Sequence, residues 1–243
     1  MSAANLRAIF FDIDDTLYST SEFSEEARMN SLDAMIEQGL SMPKDQLFEE
    51  LQEVIREFSS NYEHHFDKLL LRIPRRHYKG KNPAIIVAAG VMAYHDTKSR
   101  LLAPYEDAVE VMRLLSANSD LLLGIITEGL EVKQAEKLLR MRILPFVSQN
   151  AIFVSHQLGI SKPNPKLYQR ACSDLNIKPT ESMYVGDNPW HDIDPPNSIG
   201  MMTVRMRRGG KYHNAESRTA PTLEVQNFWD LLDYLKAEFD LKV

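Results

Sequence analysis

The chain has 243 residues, of which 44% are hydrophobic and 26% charged, and carries a formal net charge of -6. This composition is ordinary for a folded protein and excludes extensive disorder, while the negative balance argues against uniform binding of nucleic acid or of an anionic membrane, both of which need a positive field. At roughly 100 to 200 residues per domain, the length suits one large domain or one domain carrying an insertion.

The run Ala8 to Ile13 is apolar, β-branched and aromatic, and it stops abruptly at acidic residues, as a buried strand does on reaching a polar crevice. Beyond Tyr18 the pattern turns helical, with Ser24, Glu25 and Glu26 suited to a helix N-terminus and Leu32, Met35 and Ile36 sharing a face. Further apolar stripes at three- and four-residue spacing fall on Leu47, Leu51, Val54, Ile55 and Phe58, then on Phe66, Leu69, Leu70 and Ile73. After a break from Pro74 to Pro83, the stretch Ala84 to Lys98 reads as another helix. Residues 19–101 are therefore expected to form an all-helical insertion.

From Pro104 onward helices and short apolar strands alternate. Helical Val109 to Leu115 precedes the strand Leu121 to Ile126, Val132 to Leu139 precedes Ala151 to Val154, and Leu167 to Leu175 precedes Met183 to Val185. A further strand is read at Met202 to Arg205 and a closing amphipathic helix at Phe228 to Phe239. Such alternation implies parallel βαβ units. The expected fold class is α/β, a doubly wound, Rossmann-like parallel sheet built from residues 1–18 and 102–243. The strongest apolar runs, Leu121 to Ile126 and Ile85 to Tyr94, fall well short of the roughly 20 residues that span a bilayer. The single cysteine, Cys172, has no partner in the chain, and no secretory signal is read at the N-terminus, so the cytoplasm is the expected location.

In doubly wound sheets ligands collect outside the carboxyl ends of the strands. That rule selects Asp12 with Asp14, Thr127, the segment around Lys162, and Asp187. Asp12 and Asp14 stand two apart, a spacing that in extended chain points both side chains to one face. Two close carboxylates repel one another, so such a pair is either metal-bound or split between a charged group and a proton carrier; otherwise the segment is only a polar turn. Asp187 is followed by Asn188, Pro189, Trp190, His191 and Asp192, and hard oxygen ligands of this kind suit Mg²⁺. His191 is not counted among the ligands, and Asp192 reads as either a helix cap or a support for the metal. Thr127, before Glu128 and Gly129, is a helix cap or a phosphate-binding hydroxyl. Lys162, stiffened by Pro163 and Pro165, is a solvated lysine or a counter-charge among carboxylates.

Taken in order, these segments resemble the haloacid dehalogenase superfamily of phosphatases. The first motif of that family, D-x-D-x-T, matches Asp12, Asp14 and Thr16; the second matches Thr127, the third Lys162, and the fourth, G-D-x-x-x-x-D, matches Gly186, Asp187 and Asp192. The helical insertion resembles the mobile cap of the subfamily with an α-helical first cap. The resemblance implies a Mg²⁺-dependent phosphatase in which Asp12 attacks phosphorus and ligates the metal together with Asp187 and the backbone carbonyl of Asp14. It further implies that Asp14 protonates the leaving oxygen and then activates water, that Thr127 and Lys162 hold the phosphoryl oxygens, and that Asp192 supports the metal through water or by orienting Lys162.

The dehalogenating branch lacks an aspartate two residues after its nucleophile, so the presence of Asp14 disfavours dehalogenation. A phosphomutase or phosphotransferase of the same family stays open, as does a catalytically silent binding protein with this fold. Pro195 and Pro196 replace the small residues of many relatives and imply a differently shaped turn after Asp192. The segments Ala93 to Lys98 and Arg207 to Tyr212 look like those of a microbial branch associated with small sugar phosphates, including glyceraldehyde 3-phosphate.

The cationic stretch containing Arg72, Arg75, Arg76, Lys79 and Lys81 is a candidate for recognising a second anionic group on the substrate, or is a solvated loop. Arg207, Arg208 and Lys211 follow a strand and are a surface loop or an approach to substrate. Tyr18 and Phe23 are assigned to packing. The expected partner is a small phosphorylated substrate, with no nucleic acid, membrane or protein partner.

Overall fold

The computed structural model describes residues 5–59 and 62–243. The chain divides into two compact units, Met1–Thr20 with Ala103–Val243, and Ser21–Leu102. Among the described residues no helix is long and apolar enough to cross a membrane.

The first unit holds six parallel strands, β1 (Ala8–Phe11), β2 (Leu122–Thr127), β3 (Ile152–Val154), β4 (Ser182–Gly186), β5 (Met202–Met206) and β6 (Leu223–Val225), in the order β3-β2-β1-β4-β5-β6. The central strand β1 is buried at every residue, as a strand covered on both faces must be. Successive side chains of a strand point to opposite faces. Phe10 accordingly meets Phe153 within a cluster that includes Ile126, Leu167, Tyr168 and Tyr184, whereas Phe11 meets Phe228. The chain runs outward from β1 through β2 to β3 and then returns to β4 on the other side of β1. That reversal leaves a crevice at the carboxyl ends of β1 and its two neighbours, where ligands of such sheets bind.

The second unit is helical, with α1 (Thr20–Glu37), α2 (Lys44–Phe58), α3 (His65–Arg72) and α4 (Pro83–Leu101) around Leu32, Met35, Leu47, Leu51, Phe66, Leu69 and Ile86. α1 begins four residues before Ser24. The cause is Asp15, whose Oδ1 accepts the Thr20 amide at 2.8 Å while the Asp15 amide donates to Thr20 Oγ1 at 3.2 Å. An aspartate taking an otherwise unsatisfied amide of the first turn is what starts a helix. Arg72 pairs with Glu57 and Glu53, the Arg75 guanidinium lies 5.0 Å over the Tyr78 ring, and Arg76 is exposed.

The sheet is flanked in sequence by α5 (Glu106–Asn118), α6 (Glu131–Met141), α7 (Ser155–Leu158), α8 (Lys166–Asp174), α9 (Asp194–Asn197) and α10 (Phe228–Phe239). Pro195 and Pro196 occupy the first turn of the four-residue helix α9, where a missing amide hydrogen costs nothing. Sequence pattern alone did not anticipate β6, whose three residues are too few for a legible alternation.

Two of the arginines after β5 are committed to the fold. Arg207 pairs with Glu216 at 2.6 Å, and Arg208 makes a two-pronged bond to Asp107 while lying 4.1 Å over the Tyr105 ring. Asp107 also accepts the Phe228 amide at 2.8 Å, tying α5 to the start of α10. Burial would raise the Asp107 pKa, but the bonds from Arg208 and Phe228 outweigh it and hold the carboxyl below its usual range. A depressed carboxylate stabilises the fold above its unfolded pKa, and that contribution vanishes as pH falls through the folded value. Thermal melts between pH 6 and pH 3 should therefore show an acid-side decline that Asp107→Asn flattens; parallel curves for the two proteins would count against this linkage.

Candidate active site

Each chemistry-bearing residue is presented by the end of a strand. Asp12 follows β1 directly, and its amide donates to the Val185 carbonyl of β4 at 2.9 Å. Thr127 is the last residue of β2, and Asp187 follows Gly186 at the end of β4. Because β2, β1 and β4 are adjacent, residues more than a hundred positions apart meet.

Lys162 anchors the centre. Its Nζ donates to Asp12 Oδ1 at 2.7 Å, Asp192 Oδ1 at 2.7 Å and the Tyr184 hydroxyl at 2.6 Å, which uses all three protons of an ammonium. The Tyr184 hydroxyl in turn donates a hydrogen bond to the Ile126 carbonyl at 2.7 Å. Burial favours a neutral lysine, yet Asp12 and Asp192 outweigh it and hold the Lys162 pKa above its ordinary value. The solvated-lysine reading is thereby excluded.

Oxygen atoms of Asp12, Asp187 and Asp192 lie within 4.8 Å of one another, all on buried residues. Asp192 is fully engaged, with Oδ1 on Lys162 and Oδ2 accepting the Asn188 amide at 3.0 Å. Asp187 Oδ2, by contrast, is buried without a hydrogen-bond partner, as is Thr127 Oγ1. Burial, reinforced by Asp192 and Asp14 and opposed by Lys162, pushes Asp12 up to about 7. Burial with the fields of Asp192, Asp12 and Asp15 pushes Asp187 up to about 9. Three carboxylates against one ammonium leave an excess of negative charge that a divalent cation offsets, and oxygen-only donors fit a hard ion such as Mg²⁺. The residues present thus fit a metal, with Asp187 the donor left free to take it.

Asp14 is turned to a different set of partners. Its carboxylate accepts from Lys137 Nζ at 2.6 and 2.7 Å, the Tyr18 hydroxyl at 2.5 Å, Thr20 Oγ1 at 3.1 Å and, at 3.5 Å, Gln134 Nε2. Burial would raise its pKa, but Lys137 first, then Tyr18 and Thr20, bring it below the usual range. Lys137, Gln134 and Thr20 were not singled out from sequence, and Tyr18 was assigned to packing. The available signal was modest: Gln134 and Lys137 stand one turn apart on α6, and Gln134 is buried although polar.

Gly186 is required by close approach. A Cβ there would lie 2.5 Å from Asp192 Cβ, Cγ and Oδ2. Gly186→Ala should displace Asp192 from Lys162 and destabilise the protein by about 1 to 3 kcal/mol, the usual cost of overpacking. Calorimetric melting compared with phosphate release checks this, and an alanine variant with unchanged midpoint and turnover would contradict it.

The family model for haloacid dehalogenase-like hydrolases matches residues 6–200. The chain belongs to the haloacid dehalogenase-like hydrolases. Within this family it is 44% identical over 237 residues to a glyceraldehyde 3-phosphate phosphatase of Methanopyrus kandleri, covering 95% of this chain and 97% of the relative. It is 35% identical over 231 residues to the protein of the same name from Methanocaldococcus jannaschii, covering 95% and 97%. The crystal structure of a haloacid dehalogenase-type phosphatase from Thermococcus onnurineus shares the fold, with a TM-score of 0.69 at 20% identity over 96% of this chain and 99% of that one. In this hydrolase Asp12, Lys162, Asp187 and Asp192 converge and Thr127 ends the strand next to β1, whereas Arg207 and Arg208 are held in ion pairs of the core unit.

Proposed function

We propose that this hydrolase is a Mg²⁺-dependent phosphatase acting on a small phosphorylated metabolite of the triose or sugar phosphate type, glyceraldehyde 3-phosphate foremost, by way of a phosphoryl group carried on Asp12. The observation that supports it most is the buried Lys162 joining Asp12 to Asp192 beside an unpartnered Asp187 oxygen. The relatives named glyceraldehyde 3-phosphate phosphatase supply the substrate class.

In this reading Asp12, Asp187 and the Asp14 carbonyl hold the metal, which supplies positive charge for the phosphoryl oxygens. The Thr127 hydroxyl holds those oxygens in line with Asp12, and Lys162, whose three protons are engaged by Asp12, Asp192 and Tyr184, attracts them through its positive charge. Asp12 forms the new bond to phosphorus as the bond to the leaving oxygen breaks, and Asp14 is assigned to give that oxygen its proton, for which it must first take one up as the bonds from Lys137 and Tyr18 that keep it ionised give way. The ionised Asp14, as it stands between Lys137 and Tyr18, then takes a proton from water, and the resulting attack on phosphorus frees Asp12. Asp192, fixed on both oxygens, keeps Lys162 aimed. The helical residues 19–101 are assigned to substrate selection, with Arg75 and Arg76 as the candidate readers of the substrate while Arg72 is held by Glu57 and Glu53, and the cytoplasm is the assigned location.

A panel of phosphorylated metabolites assayed for free phosphate, with Mg²⁺ and with EDTA, tests this. Small phosphorylated sugars and acids should outperform nucleic-acid ends and phosphoproteins, and EDTA should abolish release. Transfer of the phosphoryl group to a second sugar without free phosphate would establish a mutase instead. No turnover of any ester would leave a binding protein.

A further inference from the structure

Glu128 is the residue that joins the loops of the site to one another. It follows Thr127 at the end of β2. Its Oε1 accepts from Ser161 Oγ at 2.9 Å, its Oε2 from His191 Nδ1 at 3.0 Å, and its backbone carbonyl from Gln134 Nε2 at 2.8 Å. Ser161 precedes Lys162 and His191 precedes Asp192. One side chain on the β2 loop thus grips the residue beside each member of the Lys162–Asp192 pair. His191 is fixed from the other side as well, because the Tyr168 hydroxyl donates to its carbonyl.

The bonds also set a tautomer. Hydrogen bonding by His191 foremost holds the Glu128 pKa below its usual value, so its carboxylate accepts only. The proton shared between them therefore sits on His191 Nδ1.

We propose that Glu128 is a positioning residue for phosphoryl transfer, clasping Ser161 and His191 so that Lys162 and Asp192 keep their register against Asp12. The inference rests on the phosphatase reading and deepens it. A merely structural role predicts something different. The side chains of Glu128 and His191 are 42% and 30% exposed, and exposed pairs of this kind stabilise folds little. Loss of the clasp should accordingly register in the site far more than in the melting point. Residues that orient groups contacting a reaction centre commonly change activity about 10- to 100-fold on removal.

The experiment compares the full chain with Glu128→Ala, Glu128→Gln, His191→Ala and the double variant Glu128→Ala/His191→Ala. Readouts are kcat and KM on p-nitrophenyl phosphate with Mg²⁺, calorimetric affinity for inorganic phosphate, and thermal melting. Glu128→Ala should lower kcat about 10- to 100-fold and weaken phosphate, with a melting point close to the parent. Glu128→Gln should recover most of both, since its amide can accept from His191 and donate to a rotated Ser161 hydroxyl. The double variant should be little worse than Glu128→Ala, because both changes break one clasp. A Glu128→Ala protein with kcat and phosphate affinity within about twofold of the parent overturns the proposal, as does a loss that tracks unfolding and is not recovered by glutamine. An inactive parent would instead refute the phosphatase reading, and phosphate affinity alone would then decide the role of Glu128.

Discussion

Asp12→Asn is expected to abolish Mg²⁺-dependent phosphate release, by a factor on the order of 10⁴ or more, as removal of an attacking group does. The substitution is nearly isosteric, and the amide oxygen still accepts from Lys162, so binding geometry persists while the nucleophile is gone. What distinguishes this from ordinary damage is the stability. Asp12 is pushed up to about 7 by its burial and its acidic neighbours, which means its charge is held against the folding energy. Removing that charge should leave the metal-free melting point unchanged or raised above pH 7. Phosphate release and differential scanning calorimetry on the same preparations check both halves. An active Asp12→Asn protein, or an inactive one with a markedly lower melting point, would count against Asp12 as nucleophile.

Lys162→Met is expected to lose activity and stability together. Lys162 is the sole protein cation bonded to Asp12 and Asp192 among the described residues, and truncating one partner of a buried ionic cluster costs about 3 to 5 kcal/mol. For a chain of this size that corresponds to a fall in melting point of about 6 to 20 °C, at about 2 to 4 °C per kcal/mol. Because the loss comes from uncompensated carboxylates, Mg²⁺ should restore part of the stability, while phosphate affinity should not return. A Lys162→Met protein that melts like the parent in EDTA would show that the cluster is not held together by this ammonium.

The parts legible in the sequence share a physical cause. Strands such as Ala8–Phe11 and Ser182–Gly186 are buried on both faces, so their apolar runs break sharply at the residues that face the crevice, and Asp12 and Asp187 stand at those breaks. The helix Phe228–Phe239 was readable for a similar reason, since its buried Phe228, Leu231, Leu232 and Leu235 repeat at helical spacing. What stayed hidden depends on contacts between distant positions. Tyr184 lies inside a strand where its aromatic ring reads as core, and only the fold shows its hydroxyl relaying Lys162 to Ile126. Lys137 sits on an amphipathic helix among other charged residues, 123 positions from the Asp14 that it holds. Sequence alone leaves Arg208 as a surface loop or an approach to substrate, and only the fold shows Asp107, 101 positions earlier, taking both of its terminal nitrogens.

The covalent step can be observed directly. Asp14→Asn removes the group assigned to activate water, whereas p-nitrophenolate leaves without needing a proton, so this variant mixed with p-nitrophenyl phosphate and Mg²⁺ should accumulate phosphorylated protein. Rapid quenching, reduction with borohydride and peptide mass spectrometry should then find homoserine at position 12, with a burst of nitrophenol equal to the protein present. Label at another residue, or nitrophenol release without a burst and without modification of Asp12, would contradict the account.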